Sequence, residues 1–163
     1  MRLVHDTIDS PVGRLLLAGD DEGLHVLSFA SGSRAVATDP SWAPDTTGRL
    51  RGVRRELEAY FAGRLRAFAT AVRFAGTDFQ HRVWSELCRI PYGDTISYLD
   101  LARRIGNEKA VRAVGLANGA NPIAIVVPCH RVIGADGSLT GYGGGLPIKR
   151  ALLALERGEQ TLL

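Results

Sequence analysis

A cysteine and a histidine stand side by side in the segment Pro128–Val132 and are the side chains best suited to covalent chemistry. A thiolate is a strong nucleophile, and a nearby histidine can take the proton of the thiol. Most free cysteines are instead small buried apolar residues, so the pair alone leaves both interpretations open. In a regular strand, Cys129 and His130 would point to opposite faces. Their cooperation therefore requires a turn at Pro128 or a bridging water.

The elements that must position this thiol are mainly helical. Thr77 begins a capping-box pattern, which predicts a helix with one apolar face. Ser97 can cap a second helix, which is expected to end at Gly106. A short turn then precedes a third helix over residues 109–118. Two helices joined by so short a turn predict a helix-turn-helix.

The thiol itself follows the apolar run Ile123–Val127, which predicts a buried strand that Pro128 ends. Residues 134–145 contain six glycines and predict a loop that exposes its backbone. Pro147 suits the first turn of a last helix.

The N-terminal half has a different pattern. Three short apolar runs separated by turn residues predict a small antiparallel sheet, and apolar spacing over residues 50–61 predicts a helix. We place a domain boundary near Gly76, giving an N-terminal domain of residues 1–76 and a C-terminal domain of residues 77–163. The expected fold class is therefore mixed α/β (α+β).

Composition narrows the class of protein. The chain has 163 residues, 45% of them hydrophobic, and a formal net charge of +3 with a pI of about 9.2. This charge is compatible with a polyanionic partner without requiring one. Two cysteines cannot build a disulfide framework. The N-terminus lacks a signal-peptide pattern and the longest apolar run is too short to cross a bilayer, so we expect a cytoplasmic protein with no membrane partner.

Several motifs together resemble the O6-alkylguanine-DNA alkyltransferase family, the methylated-DNA–protein-cysteine methyltransferases. Pro128-Cys129-His130-Arg131-Val132 and the later Tyr142-Gly143-Gly144-Gly145 occur in the family's order, and the resemblance extends over roughly residues 77–156. The N-terminal half is similar only in layout, to a ribonuclease-H-like scaffold.

The resemblance implies a reaction and four catalytic residues. Cys129 would accept the alkyl group, His130 would act as a base through a water, and Glu156 would orient that histidine, as in a triad. Asn121 would support the turn that presents the cysteine. The product is a thioether with no easy hydrolytic exit, so each molecule would react once. The resemblance implies no cofactor and no metal.

The resemblance also implies a base pocket. Its predicted lining is Tyr98, Val132, Tyr142, Gly143, Gly144 and Lys149. The backbone carbonyls of Cys129 and Val132 would accept from the exocyclic amine of guanine. Some family members carry serine at the position of Gly143, so we expect more room beside O6 in this chain.

The expected partner is double-stranded DNA containing O6-alkylguanine, with O4-alkylthymine as a further candidate substrate. The predicted DNA-binding residues are Tyr98, Arg112, Ala113, Ala117, Asn118 and Arg131. By resemblance the third helix enters the minor groove, and Arg112 takes the place of the nucleotide that is flipped out of the stack. The protein is expected to act as a monomer.

Two other classes of function compete with this interpretation. A non-catalytic helix-turn-helix regulator or lesion sensor of the same fold would also bind DNA, but such sensors lack the acceptor cysteine. A cysteine hydrolase would need an oxyanion hole, and its usual sequence signature is missing. No metal site is expected, because the histidines of the N-terminal half have no partner cysteines.

Overall fold

A four-stranded sheet forms the N-terminal half of the computed structural model, which describes residues 2–159. The strands are β1 (Val4–Ile8), β2 (Leu15–Asp20), β3 (Gly23–Phe29) and β4 (Ala43–Pro44), in the spatial order β3-β2-β1-β4. The first three strands pair antiparallel as predicted, whereas the short β4 runs parallel to β1. The sheet is therefore mixed at one edge.

Helix α1 (Arg51–Phe61) covers this half of the core. Its residues Val53, Leu57, Tyr60 and Phe61 are buried because their spacing places them on one face of a 3.6-residue helix. Tyr60 is fully buried, so its hydroxyl group needs a hydrogen-bond partner in the interior.

The C-terminal half is mainly helical. Its elements are α2 (Asp78–Leu87), β5 (Ile96–Ser97), α3 (Tyr98–Arg104), α4 (Val111–Gly119), β6 (Val132–Ile133) and α5 (Leu146–Glu156). The side chain of Thr77 caps α2 in a capping box, as predicted. A single 3-10 turn, Glu108–Ala110, separates α3 from α4, so the second helix of the helix-turn-helix begins later than predicted. This architecture confirms the mixed α/β fold class.

The predicted strand over Ile123–Val127 is wrong, although Ile123 and Val127 are fully buried as expected. Ile123 makes only an isolated bridge to Leu27, and the chain then turns, with the amide of Val127 bonding to the carbonyl of Ile123 at 3.0 Å. Ile125 has a φ of 70°, which is costly for a β-branched residue. The backbone polar groups of this segment make their hydrogen bonds within a tight turn rather than with a neighbouring strand. Both arrangements bury the same apolar residues, so the apolar pattern of the sequence could not distinguish them.

One apolar core connects the two halves. Side chains from the sheet, from α1 and from the C-terminal helices belong to a single buried cluster. The indole of Trp84 in α2 donates to the carbonyl of Ala117 in α4 at 2.8 Å, which fixes the helix-turn-helix to the core. Within residues 2–159, no helix is long and apolar enough to cross a bilayer.

Candidate active site

Cys129 begins a 3-10 turn, Cys129–Arg131, that follows Pro128. The chain therefore turns at Pro128, which is one of the two conditions under which the thiol and the histidine could cooperate. Cys129 is 6% exposed and His130 is fully buried. His130 Nε2 lies 2.8 Å from Glu156 Oε2, while Nδ1 is buried with no hydrogen-bond partner among the described residues. Nδ1 is thus the nitrogen that remains able to accept a proton.

Glu156, near the end of α5, is the most completely bonded side chain of the site. Besides His130, it accepts from the guanidinium of Arg131 at 2.7 and 3.0 Å and from the hydroxyl of Tyr60 at 2.7 Å. Tyr60 belongs to α1, so the N-terminal half contributes directly to this cluster. We did not predict Tyr60 as a site residue. The sequence feature that could have indicated it is a tyrosine on the inward face of a helix.

The prediction that Arg131 binds DNA is wrong. Arg131 is 6% exposed, and its guanidinium bonds both Glu156 and the carbonyl of Ile90 at 2.6 Å. A guanidinium held in this way has no free face for a phosphate. Its role is to bring a permanent positive charge against the buried carboxylate.

These contacts determine which groups carry charge. Burial by itself would raise the pKa of Glu156, but the hydrogen bonds from His130 and Arg131 and the positive charge of Arg131 outweigh it and lower that pKa. Burial lowers the pKa of His130 by more than the Glu156 carboxylate raises it. The histidine is therefore neutral at neutral pH, in the form that a general base requires.

The thiol of Cys129 is not ionised on its own. Burial raises its pKa, while the nearby polar groups of Asn121 and Tyr142 and the positive charge of Lys149 oppose the rise. Because the net shift is upward, the sulfur carries its proton at neutral pH and needs a base to become a nucleophile. The adjacent His130 has a buried Nδ1 without a hydrogen-bond partner among the described residues.

Asn121 holds the turn that leads to the cysteine. Its Nδ2 donates to the carbonyl of Val127 at 2.8 Å, and its Oδ1 accepts from the amide of Ile123 at 3.0 Å. One side chain thus bonds both ends of the segment that was predicted to be a strand. Its amide also lowers the thiol pKa, so Asn121 acts on both the backbone and the sulfur.

The glycine loop is anchored by Lys149, a fully buried residue of α5. Its Nζ donates to the carbonyl of Thr140 at 3.1 Å and lies 5.9 and 6.0 Å from the ring centres of Tyr98 and Tyr142. The hydroxyl of Tyr98 is 3.5 Å from Thr140 Oγ1. These contacts bring Tyr98, Tyr142 and Lys149 together on one side of the cysteine. Val132 is buried at the start of β6, which pairs with β5.

The extra room expected beside Gly143 is filled from the N-terminal half. A Cβ on Gly143 would lie 2.6 Å from Cγ of Arg34, and one on Gly144 would lie 2.6 Å from the ring of Phe29. The amide of Arg34 also donates to the carbonyl of Gly143 at 3.3 Å. A cavity of about 60 Å³ beside Cys129 is consequently lined by both halves of the chain.

The outer face of α4 holds only part of the predicted DNA-binding set. Arg112 and Ala113 are exposed, whereas Ala117 and Asn118 are each 4% exposed and point inward. Ala117 is therefore placed on the α4 face that packs on the core, whereas Asn118 lines the cavities beside Cys129 and Tyr98, and its contact with DNA stays a prediction. Leu116 is 67% exposed on the outer face, and we did not predict it.

The remaining candidates for chemistry lie apart from this cluster. Cys88, directly after the end of α2, is an exposed residue whose sulfur is partly shielded from water, and this partial desolvation raises the pKa of its thiol. Within the described part of the chain, no three His, Cys, Asp or Glu side chains are grouped so that they could hold a metal ion. The site thus combines a buried thiol, a neutral imidazole, an ionised carboxylate and an adjoining cavity. That combination suits transfer of a group to sulfur.

Comparison with known proteins covers nearly the whole chain. The family model of the 6-O-methylguanine DNA methyltransferase DNA binding domain matches residues 78–158, and the model of the ribonuclease-like domain of 6-O-methylguanine DNA methyltransferase matches residues 3–74. A methylated-DNA–protein-cysteine methyltransferase from Methanosarcina acetivorans is 53% identical over 148 residues, which cover 91% of this chain and 94% of the relative.

Mycobacterium tuberculosis provides further relatives. Its methylated-DNA–protein-cysteine methyltransferase is 54% identical over 156 residues, 94% of this chain and 92% of the relative. A crystal structure of Mycobacterium tuberculosis OGT in complex with DNA superimposes with a TM-score of 0.88 at 52% identity, covering 97% of this chain and 94% of that one.

Proposed function

The chain belongs to the 6-O-methylguanine DNA methyltransferase family, and on that premise we propose that Cys129 is the residue that accepts the alkyl group. Its activity is that of a methylated-DNA–protein-cysteine methyltransferase, which repairs DNA by moving an alkyl group from the DNA to a cysteine of the protein. The observation that carries the assignment to Cys129 is its position at the cavity, next to the histidine that Glu156 holds.

In the proposed reaction the thiol proton passes to Nδ1 of His130 through a water, and the sulfur attacks the saturated carbon attached to O6. The new bond joins carbon to sulfur while the carbon–O6 bond breaks, and its electron pair stays on the guanine. Tyr98 donates to the purine as this negative charge develops. The imidazolium of His130 then releases its proton and the purine anion takes one up, so the restored guanine and the imidazole both end neutral. Because the thioether is stable, each molecule reacts once.

Glu156 and Asn121 support this reaction without touching the alkyl group. Glu156 bonds Nε2 of His130 and so leaves Nδ1 as the basic nitrogen. The imidazolium that forms is stabilised by the same carboxylate. Asn121 keeps the Ile123–Val127 turn closed, which keeps the sulfur at the cavity.

The chain binds DNA, and we propose that its substrate is a duplex containing O6-alkylguanine, approached from the minor groove by the outer face of α4. Arg112 is exposed on that face and replaces the flipped nucleotide in the stack. We further propose that the protein acts as a monomer in the cytoplasm. Residues 1–76 and 77–163 form its two domains, in keeping with the matched ranges.

The non-catalytic alternative is not favoured, because the relatives are named as methyltransferases and Cys129 lies at the cavity. The deciding experiment is to incubate the protein with a duplex containing O6-methylguanine and to weigh the intact protein. We expect a gain of one methylene group, mapped by peptide mass spectrometry to Cys129 and not to Cys88, together with restored guanine. An unchanged mass would disprove the proposed reaction.

The role of Arg112 is tested with two substrates. Arg112→Ala should slow transfer from the duplex far more than transfer from free O6-benzylguanine, since a free base needs no flipping. Equal slowing of both reactions would remove the flipping role.

A further inference from the structure

One carboxylate oxygen, Oε2 of Glu156, accepts hydrogen bonds from both halves of the chain. His130 Nε2 lies 2.8 Å from this oxygen and Nη2 of Arg131 lies 3.0 Å from it, and both residues belong to the turn that begins at the cysteine. The hydroxyl of Tyr60, on α1, donates to the same oxygen at 2.7 Å. The histidine and the tyrosine therefore share one acceptor.

The surroundings of Tyr60 keep its hydroxyl group a donor at this position. The side chain is fully buried, and its ring centre lies 5.5 Å from that of Phe68 and 6.3 Å from that of Tyr92. Burial and the neighbouring Glu156 carboxylate raise the pKa of Tyr60 well above its ordinary value, so the phenol keeps its proton at neutral pH. Aromatic packing fixes the ring, and the hydroxyl can only donate to the carboxylate.

Two donors that share an acceptor weaken each other's bond to it. The negative charge of a carboxylate favours the protonated form of an imidazole beside it. When Tyr60 donates to Oε2, it neutralises part of the charge that Nε2 of His130 would otherwise face. The imidazolium is then less stable. The neutral imidazole is favoured, and its Nδ1 has no hydrogen-bond partner among the described residues.

We propose that Tyr60 is a positioning residue for the transfer reaction, because its hydroxyl shares Oε2 of Glu156 with His130 and so limits how firmly the imidazole holds a proton. Through this bond the N-terminal half sets the strength of the base that the C-terminal half carries. Tyr60 does not line the cavity beside Cys129, so it acts only through Glu156. The inference rests on the proposed function, since it concerns the histidine that would take the thiol proton.

Other titratable groups also face His130 and Glu156. They come from the turn of the cysteine, the loop after α2, the glycine loop and α5, and they are Cys129, Arg131, Tyr92, Tyr142 and Lys149. Burial lowers the pKa of His130 most, the carboxylate opposes this, and the charges of Arg131 and Lys149 lower it further. All of these groups remain when only the hydroxyl of Tyr60 is removed. A change in the protonation of His130 can therefore be assigned to that hydroxyl.

The test follows the protonation of His130 in the full chain, with Tyr60→Phe as the variant that removes the hydroxyl and keeps the ring. Histidine labelled with carbon-13 in the ring reports each of the four histidines by NMR, and the His130 signal is the one missing from His130→Gln. We expect the midpoint of its titration to rise by about one pH unit in Tyr60→Phe. The reason is that one charge-assisted hydrogen bond no longer competes for Oε2.

The same shift should appear in the reaction. Single-turnover transfer from free O6-benzylguanine, followed by intact protein mass, should begin to lose rate at a pH about one unit higher in Tyr60→Phe than in wild type. The concentration of O6-benzylguanine that gives the half-maximal rate should stay the same, because Tyr60 is not part of the cavity lining. A purely structural role of Tyr60 would not produce this combination.

Two control variants separate the shared bond from packing and stability. Tyr92→Phe removes the hydroxyl of a tyrosine that packs edge-on against Tyr60 but has no hydrogen bond to Glu156 among residues 2–159. Val53→Ala truncates another buried side chain of α1 and lowers stability while leaving every bond of Glu156 in place. Neither control should move the His130 midpoint. Denaturant melts establish the pH range in which each variant is folded.

The outcomes distinguish this inference from the reaction on which it rests. Coincident His130 midpoints in wild type and Tyr60→Phe, over the pH range in which both are folded, overturn the role of Tyr60. So does a lower midpoint in Tyr60→Phe, an equal rise in Val53→Ala, or a rate profile that does not move with the midpoint. The NMR titration needs no alkyl donor. A protein whose mass stays unchanged with the methylated duplex overturns the proposed function instead.

Discussion

The two ends of the active site differ in how completely their polar atoms are paired. At the end around Glu156, both carboxylate oxygens accept hydrogen bonds, from His130, Arg131 and Tyr60. At the end around Cys129, the hydroxyl of Tyr142 and Oδ1 of Asn118 are buried and make no hydrogen bond of normal geometry within residues 2–159.

This difference separates two tasks. A fully bonded carboxylate is rigid, and it keeps the histidine in one orientation before any substrate arrives. Buried polar atoms without partners beside the sulfur raise the free energy of the unbound protein, and a substrate that forms hydrogen bonds with them removes this cost. Variants that affect one end should therefore differ in kind from variants that affect the other.

The largest effect is expected at the sulfur. Cys129→Ala should abolish transfer completely while leaving DNA binding in place, because the alkyl acceptor is lost and the outer face of α4 is untouched. Cys88→Ala is the matched control and should transfer at the wild-type rate. Intact protein mass and a DNA gel-shift assay measure the two properties. Any alkylation of the Cys129→Ala protein would show that another residue is the acceptor.

Glu156→Gln tests the fully bonded end. Loss of the carboxylate charge leaves Arg131 buried without its counter-ion, so we expect the free energy of unfolding to fall by about 3 kcal/mol. Transfer should slow by about 100-fold, since no carboxylate orients the imidazole or stabilises the imidazolium that forms when it takes the proton. Denaturant melts and single-turnover rates check these values.

The control for Glu156→Gln is an ion pair on the surface. Glu22→Gln removes the partner of Arg73, whose Nη2 lies 3.1 Å from the carboxylate. It should change stability by less than about 1 kcal/mol and leave the rate unchanged. Similar losses in both variants would mean that burial does not strengthen the Glu156 cluster.

Two tyrosine-to-phenylalanine changes compare the ends directly. Tyr60→Phe removes a hydrogen bond to a buried carboxylate and should lower the free energy of unfolding by about 2 kcal/mol. Tyr142→Phe removes a buried hydroxyl that has no hydrogen bond within residues 2–159, so the free energy of unfolding should stay the same or rise by about 1 kcal/mol. Urea unfolding of both proteins measures the contrast. Equal losses in the free energy of unfolding would show that the polar atoms at the two ends of the site are equally well hydrogen-bonded.

The smallest expected effect is in the pH profile. Because burial lowers the pKa of His130, the imidazole stays neutral at pH values below about 6.5, where an exposed histidine would already gain a proton. The rate of transfer from free O6-benzylguanine should therefore stay constant as the pH is lowered to about 6.5. It should fall only at lower pH, where the pH passes through the lowered pKa of His130. A loss of rate that begins above the ordinary histidine pKa would contradict a buried neutral base.

Local features of the fold could be predicted from sequence because they depend on neighbouring residues. The capping box at Thr77, the helix begun near Pro147 and the antiparallel meander all formed where the pattern placed them. The prediction of a strand over Ile123–Val127 was wrong because a buried strand and a buried tight turn have the same apolar composition. Only the bonds from Asn121, which act across the turn, decide between them.

The sequence by itself determined that the proposed nucleophile stands beside a histidine, and it indicated the family, since both depend on residue types and their order along the chain. Only the tertiary structure decided which groups surround them. Tyr60 reaches Glu156 from 96 positions away along the chain, and Arg131 turns inward to the same carboxylate. Asn118 turns inward as well, because the α4 face that carries it packs on the core. Burial and long-range pairing follow from how helices pack, and no local spacing encodes them.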